Sequence, residues 1–588
     1  MDLDQVIELF ESKHTADLAD RHAQSIEQLC SEMNNELAQD GFFYKELDKV
    51  TQVLRLILNG LSNEKFELVP ALVSLLEVLN IPFQKEKSGD ELKQVHKIPD
   101  VLNALCDLIL FEVHLDSDPE GTLTADWEYA RQEIANTLTN IASQGIEDIK
   151  DREPTEEEKK IYGAQNASPL QRLFKEGNRN LKAFACSSVP STLVGLLSDE
   201  AVRRSSIDTM ISVLEAVAAI SLYKPITDQV IQEGVGRDLV RIISQTKDFR
   251  SYVVSLAIEA LWNLIEVGGK EAIRQLAIHP EVVPSLKAPF EMVLRRGYKK
   301  DDKCLRNEIC VLINYVVSCP ESHTYFLQQD GGEECILEQM VTYAVFDEVN
   351  GEQTQPIFNV TDEDLELKKL LWTQIFSVCH DQKNVEAHSI MMQKGFLRAL
   401  LLYLDPQSTD SNPIITRWAP PQLLELQIHA LNIISHLVGL VPQHFHEIGG
   451  HKVLAAFIQG YEDIPRRKAS LMAILSTSFF DFFKVELMEC GLIKTLLDLI
   501  QHQTEAGTLY IRELSFNILS NVCKDCRDCQ KMFRRQGGIE ILKDNMQNGE
   551  VDQSGNATTF ILATLDCLQN AIYGNKRSEL HFLDVEGV

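Results

Sequence analysis

"VIQEGVGRDLVRII", residues 230–243, decides the fold. An apolar stretch runs into a glycine, and behind it Val235, Leu239, Ile242 and Ile243 recur at helical spacing. The phrase reads as a short helix, a glycine that turns left-handed without steric cost, and a new amphipathic helix. It recurs as "FLQQDGGEECILEQM" (326–340), "MMQKGFLRALLLYL" (391–404), "FHEIGGHKVLAAFI" (445–458), "LMECGLIKTLLDLI" (487–500) and "MFRRQGGIEILKDNM" (532–546).

A second phrase alternates with it. An apolar helix carries an asparagine followed by an apolar or aromatic residue, with the asparagine at Asn140, Asn263, Asn314, Asn432, Asn521 and Asn570. Asn263 and Asn314 lie 51 positions apart and Asn521 and Asn570 lie 49 apart, slightly more than the roughly 40–47 residues of armadillo and HEAT repeats. Strand signals are scarce. The fold class is therefore all-α: an armadillo/HEAT-like α-solenoid of stacked repeats, each with two short helices, a glycine and a long helix that stacks on its counterpart next door.

A chain of 588 residues exceeds a single core, which agrees with an array. Residues 1–144 read as N-terminal helical repeats, 145–182 as a charged loop insertion and 183–346 as armadillo-like repeats. A polar loop follows at 347–364, a further repeat at 365–404, a Pro-rich loop at 405–422 and more repeats at 423–588. The final "HFLDVEGV" (581–588) starts the short-helix-and-glycine phrase without the long helix that follows elsewhere. The chain accordingly reads as a portion of a longer protein.

With Lys+Arg 56 against Asp+Glu 87, the net charge is -31. That balance repels nucleic acid, anionic membrane and the acidic surface of tubulin, so contact with any of them needs a local basic patch or an adaptor. One patch is present: Arg295, Arg296, Lys299, Lys300, Lys303 and Arg306 gather around Gly297. It reads as a solvated inter-helix loop, with docking as the sharper alternative. No apolar run is long enough to span a bilayer and the acidic N-terminus does not resemble a signal peptide. Thirteen unpatterned cysteines suit a reducing compartment. A soluble, intracellular protein is expected, with the sequons at Asn166, Asn359 and Asn556 unglycosylated.

Catalytic motifs are lacking: there is no phosphate-binding glycine loop, nucleophile elbow or H-E-x-x-H helix, so no enzyme and no cofactor is expected. Two clusters invite a metal reading. In "NVCKDCRDCQKMF" (521–533), Cys523, Cys526 and Cys529 have C-x2-C-x2-C spacing, but the fourth nearby cysteine and trailing proline of a ferredoxin run are missing. These cysteines are expected to be core or cap residues in an inter-repeat connector, with Cys490 or Cys567 available to a zinc ion as the alternative. His444, His446 and His451 lie beside a glycine turn. Residues i and i+2 do not share a helix face, so surface histidines are expected there. Trp418, in the Pro-rich loop, reads either as a partner anchor or as a side chain folded back on the solenoid.

The segments "EALWNLIEVGGKEAIRQL" (259–276), "RRGYKKDDKCLRNEICVL" (295–312), "AVFDEVNGEQ" (344–353), "LELKKLLWTQIFSVCHD" (365–381), "LELQIHALNIISH" (424–436), "TLDCLQNAIYG" (564–574) and "HFLDVEGV" resemble, in order, landmarks of the cilia- and flagella-associated protein 69 family. "MDLDQVIELF" (1–10) and "LNIPFQKEKSGDEL" (79–92) fit as well. The three-cysteine run is not a feature of the family. The resemblance implies an armadillo-type, non-enzymatic scaffold in a projection of the axonemal central pair, supporting ciliary and sperm-tail beating. It implies other projection proteins as partners, local or indirect contact with microtubules, and neither nucleic acid nor membrane. The six asparagines then either offer paired donors and acceptors to a bound chain or bond between stacked helices. A cytosolic cargo or GTPase adaptor is the alternative function, and a metal- or redox-sensing protein built on Cys523, Cys526 and Cys529 is the third. Nuclear import carriers of this type pair each groove asparagine with a tryptophan one turn away; here only Trp262 comes near, directly adjacent to Asn263, which argues against import cargo.

Overall fold

The computed structural model describes residues 1–588 except 16, 36–37, 40, 85–94, 113–121, 145, 147–148, 150–151, 164–167, 200–205, 249, 297–298, 330–332, 351–356, 503–508, 548–558 and 586–588. The described residues are overwhelmingly helical; a two-residue antiparallel pair joins Asn34–Asn35 to Ala38–Gln39. Among them, no single helix is long and apolar enough to cross a membrane. The chain is an armadillo-type α-solenoid, and its contacts divide it into two units, Met1–Val293 and Leu294–Val588.

In the first unit, α1 (Thr122–Ser143) packs on α2 (Ile207–Ile220). Helices α2 and α3 (Val235–Gln245) pack in turn on α4 (Tyr252–Gly268). The second unit carries α5 (Lys300–Val317), α6 (Asp362–Cys379), α7 (Pro420–Leu437), α8 (Pro442–Glu447), α9 (Gly450–Gly460), α10 (Ile464–Ser478) and α11 (Asp481–Glu489). It continues with α12 (Leu509–Cys523), α13 (Arg527–Arg535) and α14 (Thr559–Ile572). Its long helices stack in the sequence α5, α6, α7, α10, α12, α14, each on the next.

Periodicity explains the stacking. In α12, Ile511, Leu514, Ser515, Ile518, Leu519 and Val522 are buried, a stripe at i, i+3, i+4, i+7, i+8 and i+11. Burying each leucine or isoleucine contributes roughly 1.5–3 kcal/mol. Side-chain caps set the starts: Asp463 accepts from the Arg466 N–H to begin α10, and Thr361 from the Asp364 N–H to begin α6.

The glycine lies between the first and second helices of a repeat, not before the long one. In the repeat α8–α9–α10, Gly449 has φ 72°, and its N–H donates to the His446 carbonyl at 2.9 Å to close α8. Gly450 is needed for a different reason, because a Cβ there would stand 2.3 Å from Phe445 Cε2. The first glycine of the pair turns the chain, and the second lets the two helices close over an aromatic ring. Gly234, Gly395, Gly491 and Gly537 share the positive φ, whereas Gly331 and Gly332 lie outside the described residues.

The three interruptions of the period carry helical structure. Residues 145–182 include Glu156–Tyr162 and Pro169–Glu176, and Arg179–Ala185 follows on from them. The polar stretch 347–364 overlaps Phe346–Asn350 and the first turn of α6, with 351–356 outside the described residues. The Pro-rich stretch 405–422 holds Pro406–Ser411, capped by Asp405, and the start of α7.

Candidate functional site

The six asparagines divide. Asn263 Nδ2 on α4 donates to the Ala218 carbonyl on α2 at 2.9 Å. Asn521 on α12 donates to Ser478 Oγ at the end of α10 at 3.0 Å, and Asn570 on α14 to Ser520 Oγ on α12 at 2.8 Å. These three join each long helix to the last turn of the one before it. Asn140 and Asn432 are exposed and Asn314 is half-buried, so Asn140 and Asn432 are the two whose amides face solvent.

The basic patch is not one surface. Arg295, Lys299 and Lys300 are exposed, while Gly297 and the Arg296 side chain lie outside the described residues. Lys303 and Arg306 turn inward instead. Their side chains are 6% and 1% exposed, and both grip Asp364, itself 1% exposed: Lys303 Nζ to Oδ2 at 2.6 Å and Arg306 Nη2 to Oδ1 at 3.0 Å. Asp364 also accepts from the Asn359 N–H at 3.0 Å and from Thr361 Oγ1 at 3.2 Å. Burial alone would raise this carboxyl; the Lys303 hydrogen bond and the Arg306 charge outweigh it and hold it below the usual carboxylate range. The cluster fastens α5 to α6.

A second buried charge sits one turn on. Lys368 Nζ pairs with Glu348 Oε1 at 2.7 Å, both side chains 1% exposed. The ammonium lies 4.3 Å from the Phe358 ring centroid, 5.6 Å from Trp372 and 5.5 Å from Tyr403, an aromatic box for a desolvated cation. Tyr403 Oη donates to the same Glu348 oxygen. Asp347 accepts the backbone N–H groups of Ile357 at 2.6 Å and Phe358 at 3.2 Å.

Through these contacts the two C-terminal interruptions dock on each other. Arg417 donates to the Phe358 carbonyl, and Gln422 Nε2 to Asp362 Oδ1 at 2.9 Å. Trp418 is buried with Ile414 and Ile415. It is the side chain folded back on the solenoid and not an exposed anchor, because the apolar residues of the Pro-rich stretch find an internal surface to cover.

The cysteines flank and span the connector between α12 and α13. Cys523 ends α12, Cys526 occupies the N-cap position of α13 without a side-chain cap bond, and Cys529 lies in the first turn of α13. Cys529 Sγ donates to the Lys484 carbonyl on α11 at 3.6 Å and receives the Cys526 thiol at 2.9 Å, while Lys484 Nζ donates to the Lys524 carbonyl at 2.9 Å. Burial pushes the Cys523 and Cys529 thiols up. The run docks one repeat on the preceding one.

The histidines depart from expectation. His444 stands 3.9 Å from its own helix neighbour Glu447, apart from the other two. The Gly449–Gly450 turn folds His451 back beside His446, rings stacked at 5.3 Å and 10°, and both face Glu486 of α11. The i, i+2 argument holds for His444 and His446 but fails across the turn. A feature missed by motif reading lies next to them: in "SFFDFF" (478–483), Phe479 and Phe482 are 65% and 43% exposed. Four phenylalanines in six residues are more than one helical face can bury, and that is the signal in the sequence.

Stacked long helices, left-handed inter-helix glycines and inter-repeat amide bonds define an armadillo-repeat protein. The sequence model described as cilia- and flagella-associated protein 69, ARM repeat, matches residues 1–460, and the chain belongs to that family. Curated proteins named cilia- and flagella-associated protein 69 from Papio anubis and Homo sapiens are each 22% identical over 622 aligned positions, covering 100% of this chain and 60% of theirs. That of Mus musculus is 26% identical over 367, covering 56% of this chain and 37% of its own. The chain thus spans about three-fifths of the length of the first two.

Proposed function

We propose that the chain is a non-enzymatic scaffold of motile cilia and flagella, acting in the axoneme as part of a central pair projection. The match to the family over residues 1–460 carries this reading, and the resemblance of ordered landmark segments supports the central pair placement. Repeat proteins present extended surfaces on which several partners can be held at fixed spacing. The partners are other projection proteins, engaged through exposed groups such as Asn140, Asn432, Lys299, Lys300, Phe479 and Phe482. The charge of -31 disfavours broad contact with acidic tubulin, so microtubule contact is local or indirect.

Crosslinking mass spectrometry on isolated central pairs tests the partner assignment. Crosslinks from Lys299 and Lys300 to other projection proteins are expected. Crosslinks confined to this chain, or running to soluble cargo or GTPases, would replace the scaffold with an adaptor.

A further inference from the structure

We propose that His446, His451 and Glu486 form a binding site for one zinc ion that fastens two successive repeats together. The ligand atoms come from three elements: His446 from α8, His451 from the first turn of α9, and Glu486 from α11 of the next repeat. All three lie within 4.8 Å of one another. His446 Nε2 is 2.9 Å from Glu486 Oε1, and His451 Nε2 is 2.5 Å from Oε2. A tetrahedral zinc ion with ligands at 2.0–2.1 Å spaces them about 3.4 Å apart, so small ring rotations separate the nitrogens from the carboxylate and admit the ion.

The state of His451 points to a ligand. It is 1% exposed, its Nε2 is aimed at Glu486 Oε2, and among the described residues its Nδ1 has no hydrogen-bond partner. A buried imidazole with Nε2 directed at a carboxylate is placed as one of a pair of ligands to a metal ion. Two imidazole nitrogens and one carboxylate oxygen form a borderline set that suits zinc and disfavours calcium or magnesium, which require more oxygen ligands. Phe482 and Phe483 wall the site, with ring centroids 5.5 Å from His446, and shield it on one side. The His446 and Glu486 side chains are 36% and 34% exposed, which leaves an entry path and an open fourth position for water. Because the ligands come from two successive repeats, the role inferred is a clip between them.

The test uses the full chain, stripped with chelator and titrated with zinc chloride alone. One zinc per chain and a chelator-reversible rise in the unfolding midpoint are expected. Cobalt should give the visible d–d bands of a tetrahedral nitrogen/oxygen site. His446→Asn and Glu486→Gln alter the two more exposed ligands and should keep the fold by circular dichroism, yet each should weaken zinc binding by about tenfold or more. The triple change of Cys523, Cys526 and Cys529 to serine should leave it intact. Absence of stoichiometric zinc, equal binding by the His446 and Glu486 variants, or binding abolished by the serine triple variant would each overturn the proposal.

Discussion

Asp364→Ala is expected to cost about 3–5 kcal/mol of folding stability, the penalty for leaving buried charge uncompensated. The aspartate is the shared counter-ion of Lys303 and Arg306, and all three side chains are nearly excluded from water. Removing it strands two cations at the junction of α5 and α6. The charge pair itself is not the source of the number. Replacing all three residues with apolar ones of similar volume is expected to cost far less, because the desolvation penalty disappears with the charges. The acid limb gives a second readout. Asp364 is held below the usual carboxylate range, so its contribution is complete above the unfolded value of about 4 and is lost as pH falls through the lower folded value. Denaturant titrations from pH 7 to pH 3 should show wild-type stability falling toward that of the alanine variant. A variant within about 0.5 kcal/mol of wild type at pH 7, the usual range for surface substitutions, would mean that the cluster is hydrated.

Lys368→Ala is expected to have an effect of the same size, about 3–5 kcal/mol. Its ammonium is enclosed by Phe358, Trp372 and Tyr403 and paired with Glu348. Truncation removes the cation from the aromatic faces and leaves the Glu348 carboxylate buried with Tyr403 Oη as its donor among the described residues. A double-mutant cycle separates these terms. If the stranded carboxylate dominates, adding Glu348→Gln to Lys368→Ala should recover about 1–3 kcal/mol, a coupling expected of residues in direct contact. Strict additivity would show that the aromatic contacts dominate. Glu348 and Phe358 belong to or border the inserted polar stretch, so the lysine variant should also loosen 357–361, measurable as faster amide exchange at Ile357 and Phe358.

The repeat architecture was legible because it depends on local chemistry. A glycine after a short apolar helix needs a left-handed backbone wherever it occurs, and Gly234, Gly395, Gly449, Gly491 and Gly537 all have one. Pairings one repeat away in sequence were not legible. Lys303 and Arg306 read as surface charge because their counter-ion lies about sixty positions on, at Asp364. A trace was nevertheless present: with Cys310, Ile313 and Val317 they fall at i, i+3, i+7, i+10 and i+14, the buried stripe of α5. A lysine and an arginine on such a stripe require a buried acid. The histidines were misread for the same reason, since Glu486 lies 40 positions beyond His446. The asparagines could not be assigned from sequence because the choice between partner and neighbour depends on which acceptor faces each amide. Asn521 and Asn570 meet serine hydroxyls on the preceding helix, and Asn432 faces solvent.

The central claim, an axonemal scaffold, is tested most directly by following this protein through fractionated motile cilia. After detergent removal of the membrane and a salt wash, it should remain with the axoneme, and it should be lost from axonemes that lack the central pair. Recovery in the detergent- or salt-soluble fraction, or unchanged retention without the central pair, would contradict the account.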